Sequence, residues 1–132
     1  MNTEENILNL LKEKAGTKQK VYRITKQVFA EIQEVLINKA SSLDTKVSDE
    51  HFNISYQESG DFDAKLNFSG DTLLFHMHTN IFDFDSSHQI QNTSYVKEDK
   101  MRAFCGIINI YNFLSDSLKY NRLDDSGFLI AR

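Results

Sequence analysis

The chain has 132 residues, 40% of them hydrophobic and 26% charged, with a formal net charge of −4. A single domain of that length buries roughly two-thirds of the surface its unfolded form exposes, and the composition excludes wholesale disorder, collagen-like repetition and a disulfide scaffold. No run approaches the roughly 18 consecutive apolar residues that a membrane-spanning helix needs.

Cys105 is the single cysteine, so no intramolecular disulfide forms, and MNTEENILNLLKEK lacks the basic start and apolar run of a secretory signal. A cytoplasmic protein is expected. The charge is unevenly laid out: residues 12–26 carry Lys12, Lys14, Lys18, Lys20, Arg23 and Lys26 against Glu13, a balance of +5. Residues 44–85 carry nine acids against Lys46 and Lys65, a balance of −7.

In chain order, residues 4–14 predict a short helix with Ile7, Leu8, Leu10 and Leu11, closed by Gly16 as a left-handed cap. Thr17 then caps a longer helix over about 18–40, whose stripe is Val21, Ile24, Val28, Ile32, Val35 and Leu36 at three- and four-residue spacing. After SSLDTKVSDE the period changes to two. Phe52, Ile54 and Tyr56 alternate with polar residues, and so do Phe62, Ala64, Leu66 and Phe68, with turn chemistry at 58–61 and 69–71.

Loop length sets the register. A three-residue loop at 59–61 pairs Tyr56 with Ala64, Ile54 with Leu66 and Phe52 with Phe68. A two-residue loop at Gly70-Asp71 pairs Phe68 with Leu73, Leu66 with Phe75 and Ala64 with Met77. A further turn at Thr79-Asn80 pairs Met77 with Phe82 and Phe75 with Phe84 on the same apolar face. Residues 86–100 read as a loop with a short strand near 89–96, residues 103–113 as a buried strand, 114–121 as a short helix and 127–131 as a last strand.

These elements predict an α+β fold: two N-terminal helices, one short and one long, packed on one face of an antiparallel β-meander of about four to six strands. No internal repeat or second domain is legible, so residues 1–132 form one domain; the closing GFLIAR fits either a terminal strand or a chain that continues.

The stretch FHMHTNIFDFDSSH, residues 75–88, concentrates the chemistry-bearing side chains. The predicted register turns His76 and His78 away from the apolar face, with Lys65 and Asp83 on either side of His76 and Asp63 opposite His78. Two imidazoles spaced His-x-His with a carboxylate on a neighbouring strand are a donor set for a divalent ion, so His76, His78 and Asp83 are the candidate metal ligands, with Asp63 or His88 as a further one. The plainer reading of the same residues is a set of cross-strand charge pairs, each contributing a few tenths to about 1 kcal/mol.

Gly70, five residues, His76-Met77-His78, four residues and Asp83 resembles the first metal motif of the cupins, which carries glutamate where Asp83 stands. The resemblance implies a β-barrel with His76 and His78 as ligands. The second cupin motif has no counterpart, because no histidine follows His88 and the chain has no proline. The α+β reading is therefore retained.

Elsewhere Cys105 sits in an apolar run as a core residue, and Asp116, Asp124 and Asp125 among serines read as cap and turn chemistry. No Walker loop, dinucleotide fingerprint, HExxH, GxSxG or CxxC pair occurs. The basic segment 12–26 raises nucleic acid as a partner, but the acidic strands would repel phosphate. Basic helix and acidic strands instead complement each other, within the fold or between copies. The expectation is a non-catalytic protein-interaction or assembly module that meets a protein partner or itself, the alternative being a metal-binding domain or metal-dependent enzyme. A third reading is a small-molecule pocket between sheet and helix.

Overall fold

In a computed structural model, which describes residues 2–47, 52–114 and 127–132, the N-terminal region forms one uninterrupted helix, α1 (Thr3–Lys46). The break predicted at Gly16 is absent. A lone glycine costs a helix about 1 kcal/mol, which does not stop propagation between strong helix formers when no proline follows. Asn2 starts the helix, its Oδ1 accepting the Glu5 N–H at 2.8 Å, and Glu4, Glu5 and Lys46 complement the dipole at the two ends. The helix also runs past residue 40 into the stretch expected to be a connection.

Among the described residues, seven strands accompany α1: β1 (Ile54–Glu58), β2 (Asp63–Phe68), β3 (Asp71–Met77), β4 (Phe82–Asp83), β5 (Phe104–Cys105), β6 (Ile108–Leu114) and β7 (Phe128–Ala131). They form a five-stranded antiparallel sheet in the order β1-β2-β3-β6-β7 and a separate pair, β4-β5. The fold is α+β. The larger sheet is open, with β1 and β7 at its edges, rather than the barrel that the cupin motif implies.

The described residues cluster into two units, one from residues 2–25 and 79–107, the other from 26–78 and 108–132. In the second unit, Ala64 and Leu66 on β2 and Phe75 and Met77 on β3 are buried on one sheet face, as the alternation predicts. The buried helical side chains are Phe29, Leu36 and Ala40. Of the predicted stripe, Ile24, Val28 and Val35 are instead 51%, 41% and 55% exposed. Leu36 of that stripe is buried as predicted and Val21 and Ile32 are half-buried, while Phe29 and Ala40, outside the stripe, complete the buried set. The helix lies along the β1–β2 hairpin, where Asp44 Oδ1 accepts the Ile54 N–H at 3.4 Å and the Lys26 ammonium sits 5.7 Å from the Phe62 ring centroid.

The strand parity is as expected, but the register is offset by two residues. Ile54 pairs with Phe68, Tyr56 with Leu66, Ala64 with Phe75 and Leu66 with Leu73. Between β1 and β2 the reason is a connection longer than 59–61, since Glu58 already pairs with Ala64; between β2 and β3 it is the turn, which falls on Ser69-Gly70 and not on Gly70-Asp71, so that Asp71 pairs with Phe68 and the left-handed φ of 50° belongs to Ser69. An offset of two keeps every side chain on its face and changes only its opposite number.

The turn predicted at Thr79-Asn80 does not extend the meander. Met77 pairs with Ile108 and Phe75 with Ile110, while Phe82 pairs with Cys105 in the first unit. The strand predicted at 103–113 is broken into β5 and β6 around Gly106, where an added Cβ would meet Thr25 Oγ1 at 2.2 Å. Close helix approach thus requires glycine there. Residues 89–96 hold no strand; 3-10 turns at Gln89–Asn92 and Lys100–Ala103 flank a short helix, α2 (Ser94–Glu98). His88, Thr93 and Asp99 cap these turns in succession, their side chains accepting the N–H groups of Ile90, Val96 and Met101. Side-chain capping beats alternation in this polar segment. The helix expected at 114–121 lies outside the described residues apart from Leu114, which ends β6.

Candidate functional site

The sheet face opposite the buried apolar one carries a row of polar groups. Thr72 Oγ1 donates to Asn67 Oδ1 at 2.8 Å, and Asn67 Nδ2 donates to Ser55 Oγ at 3.3 Å, which joins β3, β2 and β1 through side chains. Thr72 and Asn109 are buried, and Leu74 is half-buried, so this face is partly covered. Arg132 Nε donates to Asn109 Oδ1 at 2.8 Å, and the Phe113 ring fills the space where a Cβ on Gly127 would stand.

His76 lies on β3 between Asp63 of β2 and Asn109 of β6. Its Nδ1 is 2.6 Å from Asp63 Oδ1, with both side chains about one-third exposed. The two-residue register offset creates this pair, since Asp63 had been expected opposite His78 and Lys65 opposite His76; Lys65 instead faces Leu74. The His78 ring stands edge-on to His76, with centroids 6.4 Å apart. His76, His78 and Asp63 are therefore brought together in the second unit.

Asp83 lies in the first unit, on β4, paired with Phe104. Its charge acts on Cys105: burial pushes that thiol above its ordinary range and Asp83 pushes it further. Cys105 is a free thiol that is half-buried, less enclosed than the core position its apolar run implied. His88 is occupied as a cap, with Nδ1 accepting the Ile90 N–H at 3.1 Å and its ring 4.7 Å from that of Phe84. Among the described residues, no group of three or more His, Cys, Asp or Glu side chains is placed to hold a metal ion. Asp116, Asp124 and Asp125 lie outside those residues.

Two features escaped the sequence reading. In the first unit, Lys18, Gln19, Tyr22 and Arg23 of α1 face Asn80, Ile81 and Phe82 across a groove of about 660 Å³. The basic run was the available signal, but the distant partner segment was not legible. The second feature is the start of α1: every residue from 2 to 16 is exposed, including Ile7 at 53%, Leu8 at 49%, Leu10 at 49% and Leu11 at 58%.

The chain matches no protein-family model, no curated protein and no solved structure. Among the described residues, no helix is long and apolar enough to cross a membrane. The geometry of the chain is the sole support for a functional reading.

Proposed function

We propose that this chain is a non-catalytic assembly module that self-associates through the first turns of α1. The observation that carries the reading is the four-residue apolar cluster Ile7, Leu8, Leu10 and Leu11 on a helical segment whose residues are all exposed. Spacings of three and four residues put Ile7, Leu8 and Leu11 side by side on the helix surface, with Leu10 next to Ile7.

A second copy is the occupant that the charge layout favours. The basic run over 12–26 begins directly after the apolar cluster, and the acidic stretch over 44–85 of another copy supplies the opposite sign. Edge strand β7 adds a second adhesive surface, since Phe128, Leu129 and Ile130 are 75%, 47% and 56% exposed and the strand holds neither lysine nor proline.

Magnitudes bound the strength. The four side chains are about half exposed, so burying them contributes about 3–6 kcal/mol per copy, half of the ~1.5–3 kcal/mol each that full burial gives, against an association cost of about 4–15 kcal/mol. The net is a weak, concentration-dependent association. Sedimentation equilibrium from micromolar to millimolar protein is expected to show the average mass rising above that of one chain, and raised salt to weaken the rise. The Ile7→Gln/Leu11→Gln variant is expected to stay monomeric with its melting curve unchanged. A wild-type mass fixed at one chain throughout would refute the reading.

A second reading rests on the His76–Asp63 contact. A histidine that donates one ring nitrogen to a carboxylate is the usual arrangement of a metal-ligating imidazole, because the carboxylate fixes the ring and raises its basicity. On this reading His76 and His78 bind a divalent ion, with the remaining positions taken by water or a partner's groups. Asp83 belongs to the first unit and is left out of this donor set. Elemental analysis of protein purified without chelator is expected to find metal in the wild type and none in His76→Ala or His78→Ala; equal metal content in all three would remove this reading.

A further inference from the structure

We propose that the groove between α1 and residues 79–82 is a binding site for a small organic anion built on a flat ring, such as a nucleoside monophosphate or an aromatic carboxylate. The site is assembled within the first unit. Lys18 and Tyr22, and likewise Gln19 and Arg23, are four residues apart on α1, so two cation-bearing rows run side by side along one wall. The opposite wall is the bend and short strand at 79–83, which presents Asn80 and Phe82.

The chemistry of the lining selects the ligand. Among the described residues, two cations and no carboxylate line the groove, in a chain whose net charge is −4, so the local field favours anions. Tyr22 and Phe82 bring two aromatic rings to the lining, beside Gln19 and Asn80, residue types whose amides read the edges of a polar ring. Arg23 supplies a planar fork suited to carboxylate or phosphate oxygens. Lys18 already sits 5.9 Å from the Phe104 ring centroid, which holds its ammonium near the groove before any ligand arrives. A volume of about 660 Å³ falls in the range of small-molecule sites and is far larger than a bare inorganic ion needs.

The deciding experiment is calorimetric titration of the whole chain with adenosine monophosphate and, separately, with indole-3-acetate. Adenosine, without the charge, and inorganic phosphate, without the ring, are the comparison probes. Saturable binding of either ring-bearing anion, at least tenfold tighter than binding of adenosine and phosphate, is expected. Arg23→Gln and Lys18→Gln should each weaken it tenfold or more, Tyr22→Leu should weaken it by a smaller factor, and Lys39→Gln, outside the groove, should leave it unchanged. Arg23 and Lys18 are exposed, so both variants are expected to keep the wild-type circular dichroism and melting curve. Binding of adenosine monophosphate alone assigns the phosphate source, and binding of indole-3-acetate alone the carboxylate source. Failure of both to bind at millimolar concentration, or binding indifferent to Arg23 and Lys18, would overturn the assignment.

Discussion

Cys105 shows how a residue's sequence surroundings and its spatial neighbours combine. Its apolar neighbours in the chain predict an inert thiol, and burial does raise it, but the second contribution comes from Asp83, 22 positions away and reached through the β4–β5 pairing. The protonated thiol is therefore favoured at neutral pH, and disulfide-exchange reagents should label it slowly. Asp83→Asn is expected to move the labelling-rate profile toward lower pH while leaving it above that of a free thiol, because burial remains; an unmoved profile would dismiss the electrostatic contribution. The same sign applies to stability. A folded-state value above the unfolded one means that the folded form keeps its proton longer, so the contribution is complete below about pH 8.5 and is lost as pH rises through the folded-state value. Tyr56, raised by burial and then by Glu58, acts in the same direction above about pH 10.

The residues of the candidate metal site were partly legible for a related reason. Alternation correctly put His76 and Asp63 on one face, because a two-residue offset preserves parity. It could not give the pairing, because that depended on whether Ser69 or Asp71 joined Gly70 in the turn. The sequence favours glycine for a left-handed φ, and the chain places it on Ser69, whose Oγ accepts the Asn53 N–H at 3.1 Å while its own N–H reaches the Asn53 carbonyl at 2.8 Å. Tertiary pairing to β1 thus overrides the local preference of the turn.

Among the elements, the sequence of α1 predicts two helices because Gly16 and Thr17 look like a cap and a start. Both signals are local, and both lose to continuous propagation through Lys, Gln and Ala neighbours. Gly16 then remains as a weak point in an exposed helix. Nothing stands within 4 Å of a Cβ built there. Gly16→Ala should raise helix stability by about 0.5–1 kcal/mol, read as slower amide exchange over the flanking turns without a change in the strands. Faster exchange in the variant would mean that the helix does not run through this position. The strands from β1 to β3 were legible because alternation is strong there. Residues 84–103 were not, because their order comes from side-chain caps at His88, Thr93 and Asp99 and from Gln91 Nε2 donating to the Phe84 carbonyl at 3.0 Å. The pairing of β3 with β6 joins segments some thirty residues apart, which no local period encodes.

At the scale of the molecule, the sequence gives the α+β class and the charge asymmetry, while the structure adds which apolar residues are left uncovered. The apolar period of α1 is shared between a buried stripe at Phe29, Leu36 and Ala40 and exposed positions that include Ile7, Leu11, Val28 and Val35. A monomer rarely carries so many exposed aliphatic residues on one helix without a use for them. The proposed self-association would cover the part of that excess at Ile7, Leu8, Leu10 and Leu11, and variants at these apolar positions separate it from the groove on the first unit, although Lys18 and Arg23 of the groove belong to the basic run that both proposals draw on.

The most direct measurement is amide hydrogen exchange over residues 3–16 at a series of protein concentrations. If the chain self-associates through these turns, protection of their amides grows with concentration, in step with the average mass, while protection in β2 and β3 stays constant. Exchange in residues 3–16 that is independent of concentration, with the mass remaining that of one chain, would contradict it.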